Sequence, residues 1–128
     1  MPPPLRFKKL ASHPVDVTQP WSEELQGVTH DSTHWYLGQK HQLWKIPVRL
    51  DLAAPLDADH LPAGVLSTPL AGLGLDGYDH MGDLDWHDGH LFVALEGPGL
   101  DSRVMVFDAA DLSFIASAVL PGQGQHAP

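Results

Sequence analysis

Gly82-Asp83-Leu84-Asp85-Trp86-His87-Asp88-Gly89-His90-Leu91-Phe92-Val93 is the stretch that decides the fold. An Asp-Gly pair between two short strand-forming runs is the strongest two-residue hairpin signal, because the turn needs positive φ that glycine supplies without strain. On the incoming strand Asp83 and Asp85 share one face, Leu84 and Trp86 the other. A second stretch lies over the first with one residue fewer: Gly27-Val28-Thr29-His30-Asp31-Ser32-Thr33-His34-Trp35-Tyr36-Leu37. Each copy reads glycine, short strand, tight turn, histidine, aromatic strand.

Working outward, Gln42-Leu43-Trp44-Lys45-Ile46 matches Arg103-Val104-Met105-Val106-Phe107 as a third strand. A fourth is weak at Gly64 to Thr68 and clear at Ser113 to Val119. Twelve glycines and twelve prolines punctuate the chain too often for long helices. The one helical turn expected, near Pro20 to Glu24, is too short to organise a fold. The expectation is all-β: about two four-stranded antiparallel units near residues 24–70 and 79–120, with a further unit starting at 121–128. The unit starts lie 55 residues apart, near the period of propeller blades.

Composition bounds the rest. At 128 residues the chain suits one domain, and 43% hydrophobic against 18% charged residues favours folding over disorder. Sixteen acids against seven bases give a net charge of −9, which argues against nucleic acid and anionic membrane as partners. With no cysteine, disulfides, thiolate zinc sites and cysteine nucleophiles are excluded. No run approaches the ~20 apolar residues of a membrane span. Arg6, Lys8 and Lys9 are followed by no apolar stretch, so no signal peptide is expected.

Gln26-Gly27-Val28-Thr29-His30-Asp31, the aromatic second strands and a third strand ending Val106-Phe107-Asp108 resemble blades of the NHL, SMP-30 and YVTN-like β-propellers. His80-Met81-Gly82-Asp83-Leu84-Asp85 with Asp88-Gly89 is similar to blade openings in uncharacterised bacterial propellers. The resemblance covers roughly residues 24 to 126. It implies an incomplete ring, since propellers carry 4–8 blades and this chain has about two. Exposed sheet edges and faces then call for self-association or the remainder of a longer chain. It also implies that the start of each first strand lines a central channel. Gln26, His80, Asp83 and His126 fall at such places and form the expected metal-ligating set, with calcium the foremost divalent cation. SMP-30-like hydrolases carry a metal-binding glutamate where this chain has Gln26.

Two functions follow as expectations. One is a binding or scaffold propeller; the alternative is a divalent-metal-dependent hydrolase of SMP-30 or lactonase type. Other motifs weigh little. Gly72-Leu73-Gly74-Leu75-Asp76-Gly77 spells a dinucleotide fingerprint, but no helix-forming stretch follows it, so an inter-blade loop is expected. The aspartates Asp76 to Asp88 fit no EF-hand register. His87 and His90 read as a cross-strand pair at a hairpin rather than as zinc ligands. No serine lies in a nucleophile elbow, and Glu96 reads as a rim carboxylate.

Overall fold

The computed structural model describes residues 4, 6, 8–13 and 18–121. It is all-β, with two four-stranded antiparallel sheets in simple up-and-down order, neither closed into a barrel. The first sheet comprises β1 (Leu25–His30), β2 (His34–Gln39), β3 (Gln42–Pro47) and β4 (Leu66–Pro69). The second comprises β5 (His80–His87), β6 (His90–Glu96), β7 (Arg103–Asp108) and β8 (Ser113–Val119). Pro20 to Glu24 forms hydrogen-bonded turns, not a helix. Among the described residues no helix is long and apolar enough to cross a membrane.

The β5–β6 hairpin closes as the Asp-Gly pair requires. Asp88 has φ 49° and Gly89 φ 81°, and His87 pairs directly with His90. The corresponding β1–β2 turn is built differently. The Asp31 carboxylate accepts the backbone N–H of Thr33 and of His34, both at 2.7 Å, and His30 pairs with Trp35 rather than with His34. A side chain here does what two left-handed residues do there.

The sheets stack face to face. On β6, Leu91, Val93 and Leu95 are fully buried and pack with Met105, Phe107, Met81 and Leu84 against Tyr36 and Leu43 of the first sheet and Leu70 just after it. Contact is closest at β1. A Cβ on Gly27 would strike the Asp83 carboxylate and Leu84, and one on Gly38, its cross-strand neighbour, would press on Leu84. These two glycines clear a lane in which β5 lies. Polar links lock the stacking: the Lys45 ammonium donates to the carbonyls of Ala109 (2.7 Å) and Ala110 (2.9 Å), and Trp86 N–H reaches Thr29 Oγ1 at 3.3 Å.

The opposite face of the first sheet is covered by the chain itself. Trp21 and the connection from Leu50 to Val65 pack on Leu37, Trp44 and Ile46 as a second core. Gln19, 2% exposed, clamps this cover by donating to Ala54 O and accepting from Leu56 N–H. Gln39 plays the same part on β2, donating to the carbonyls of Pro20 and Glu23 and accepting from Trp44 Nε1–H at 2.6 Å. The outward face of the second sheet has no such cover among the described residues. There Phe92 and Ile115 remain 38% and 51% exposed.

Candidate functional site

A cavity of about 500 Å³ opens at the end of the molecule where the β2–β3 turn meets the β4–β5 connection. Its position follows from local backbone bonds. His41 C=O accepts Leu70 N–H at 2.8 Å and Lys40 C=O accepts Met81 N–H at 2.9 Å, so both ends of the connection are tied to one turn. Between them the chain folds back on itself through Leu73 N–H to Leu70 C=O and Tyr78 N–H to Leu75 C=O. Gly72, Gly74 and Gly77 all carry positive φ in this loop. The Gly72-to-Gly77 motif is therefore a turning loop and no helix follows it, as the sequence suggests.

The far wall is held by Tyr78, whose hydroxyl donates to Asp101 C=O at 2.7 Å while its ring lies 5.3 Å from the Arg103 guanidinium. Gly97 packs directly on the Gly77 carbonyl; any Cβ there would strike that oxygen. Leu70, Leu75 and Tyr78 supply the apolar lining, and His41, Asp76 and Asp79 the polar. Through His41 and Gln42 the cavity adjoins a shallower hollow of about 260 Å³ beside Glu23, Glu24 and Lys40. The charged side chains lining the two hollows are thus four carboxylates against one ammonium, with the Arg103 guanidinium behind the Tyr78 ring. A concave, mostly preformed space of this size with a few polar groups suits a small ligand.

The expected channel residues are partly brought together. His80 Nε2 lies 3.1 Å from Gln26 Oε1, a contact across 54 residues that joins the starts of the two inner strands. Asp83 sits three residues along β5, where a bulge turns its carboxylate onto Leu84 N–H at 2.9 Å and against Gly27. It makes no hydrogen bond to His80 or Gln26. His126 lies outside the described residues. Among the described residues no three histidines or carboxylates are grouped to hold a metal. No family model, curated protein or solved structure matches this chain.

At the opposite end of the molecule a polar network joins the sheets. Tyr36 hydroxyl donates to Asp31 at 2.7 Å and reaches the Ala109 carbonyl at 3.4 Å. Burial alone would raise the Asp31 pKa, but the Tyr36 hydroxyl with the N–H groups of Thr33 and His34 outweighs it and brings the value to about 2. Burial, and then the Asp31 carboxylate, push the Tyr36 phenol well above its ordinary range. His34 is held below the usual imidazole value, first by burial and then by the nearby Lys45 charge. Sequence reasoning passed over both this network and the His41–Asp76–Asp79 cavity. The one signal for the cavity was the glycine-rich connection, which marks a turning loop but not what the loop encloses.

Proposed function

We propose that the chain is a binding protein built from two propeller-type blades, and that its ligand is a small amine- or guanidinium-bearing molecule. The carrying observation is the lining of the end cavity: Asp76 and Asp79 beside apolar Leu70, Leu75 and Tyr78, with Glu23 and Glu24 in the adjoining hollow. Carboxylates around a low-dielectric wall favour a cation, and the net charge of −9 raises its local concentration.

Calorimetry with putrescine, arginine methyl ester and glucose tests the reading. Binding of the cations but not glucose, weakened at least tenfold in Asp76→Asn with Asp79→Asn, is the expected result. Equal heats for wild type and the double variant would overturn it. The divalent-metal hydrolase stands second, resting on the contact of His80 with Gln26. Calcium or zinc binding that disappears in His80→Ala would bring it forward.

A further inference from the structure

We infer that His87 and His90 form a two-imidazole chelate for a divalent transition-metal ion, copper(II) foremost, at the β5–β6 turn. The pair lies at the other end of β5 from the cavity and from the contact of His80 with Gln26, and the inference rests on neither.

The strand register carries the inference. His87 closes β5, His90 opens β6, and the ladder sets them directly opposite each other. Residues so placed in an antiparallel pair project from the same face, with Cβ atoms about 5 Å apart. Asp88 (φ 49°) and Gly89 (φ 81°) close the chain tightly between them, so this spacing is fixed before any ligand arrives. Two imidazoles on such a base can each bring a nitrogen to the ~3 Å separation that adjacent metal positions need with bonds of ~2.0 Å. All four residues are exposed, so ions in solution reach the rings. The His90 ring is also held for the task. Its Nδ1 lies 3.1 Å from the Asp88 carbonyl, which can only accept, so in the neutral ring Nδ1 carries the proton and Nε2 keeps the lone pair. A backbone carbonyl on the second ring nitrogen is a usual way to fix the tautomer of a ligating histidine.

The first sheet shows that the arrangement is particular to this turn. There the equivalent histidines are out of register: His30 stands opposite Trp35 and His34 opposite Pro47, and His34 Nδ1 is engaged by the Thr33 hydroxyl at 2.8 Å. Among the described residues His87 and His90 are the one pair of histidines set opposite each other in a ladder. The surroundings then select the ion. Asp108 stands opposite His90 on β7, but its Oδ1 already accepts Ala110 N–H at 2.8 Å. Asp85 shares the face of His87, two residues before it. With Asp88 in the turn, these carboxylates offset the charge of a bound cation without bonding to it. Two nitrogen donors fall short of a four-ligand structural zinc site and lack the oxygen cage of calcium. Copper(II) and nickel(II) accept imidazole in a tetragonal arrangement, and copper(II) binds the tighter of the two. Water fills the remaining positions, so the ion is exchangeable rather than structural.

Proton NMR of the whole chain with substoichiometric copper(II) chloride tests this, since a paramagnetic ion broadens the signals nearest to it. The imidazole signals of His87 and His90 should fade together, ahead of those of His30, His41, His60 and His80. In His87→Gln the copper concentration that halves the His90 signal should rise roughly tenfold or more, because the second donor no longer acts at high effective concentration. His90→Gln should do the same to His87. Both side chains are exposed, so the circular dichroism of each variant should match wild type. His30→Gln, in the turn of the first sheet, should leave the titration of His87 and His90 unchanged. Even fading of all histidines overturns the inference, as does a His90 signal that fades as readily without His87. Fading led by His80 also overturns it, and would favour instead the metal site at His80 and Gln26.

Discussion

Lys45 of the first sheet donates its ammonium to the Ala109 carbonyl of the second at 2.7 Å, although the lysine is only 8% exposed. Its other acceptor is the neighbouring Ala110 carbonyl, so a buried cation is satisfied by the turn between β7 and β8 rather than by a carboxylate. Hydrogen bonds to a charged group are worth more than neutral ones, and removing the donor takes the ammonium from Ala110 C=O and leaves Ala109 C=O with only the Tyr36 hydroxyl at 3.4 Å. Lys45→Met should therefore lower stability by about 2 kcal/mol. Urea unfolding checks this; an unchanged midpoint would show that water replaces the ammonium at no cost.

Acid should unfold the protein partly through Asp31. Its folded pKa of about 2 lies below the ordinary 3.8, so the folded state favours the ionised form. The stabilisation is fully present above the unfolded value, and it is lost as the pH falls from about 4 toward 2. Tyr36→Phe removes one of the bonds that hold the value down. The variant should therefore lose this acid-sensitive stabilisation at a higher pH than wild type. Parallel pH titrations of circular dichroism would show the displacement, and superimposed curves would refute it.

Gly97→Ala should be the costliest single methyl in the cavity wall. Its Cβ would meet the Gly77 carbonyl, a backbone atom that yields only if the loop moves. A loss of roughly 2 kcal/mol or more is expected, in the range of overpacking penalties. A drop in melting temperature of less than about 2 °C would show that the wall is soft.

At the β5–β6 hairpin the cost of Gly89→Val comes from backbone, not contact. Nothing lies within 4 Å of a Cβ at Gly89, but φ is 81° there. A β-branched residue resists that conformation, so the variant should lose about 1 kcal/mol or more. Gly89→Asn, which tolerates the left-handed region better, should recover part of the loss. Thermal melts of the pair provide the check.

Much of the strand order was readable because its causes are local. Asp88-Gly89 demands a turn wherever it sits, and the alternation along β6 sorts Leu91, Val93 and Leu95 from Phe92 and Ala94 without reference to the rest. Gln26 and His80 were grouped through the resemblance to propeller blades, and no local pattern shows their contact, which joins side chains 54 residues apart. What was not readable depends on neighbours. Phe92 reads as an ordinary packing aromatic, and only the position of the first sheet shows that it faces outward. Lys45 is one residue of a third strand in the sequence, and its burial comes only from the β7–β8 turn above it. The cavity at Asp76 and Asp79 likewise exists only once the β2–β3 turn is tied to both ends of the following loop.

The cover clamped by Gln19 and Gln39 also bears on the order in which the molecule is made. Everything that closes the outer face of the first sheet lies before residue 70, so that sheet carries a core of its own as soon as those residues leave the ribosome. The second sheet has no such independence, since its buried leucines, valines and methionines are completed by Tyr36, Leu43 and Leu70. Synthesis from the amino end thus delivers the template before the part that needs it, and the later strands condense onto a surface already in place.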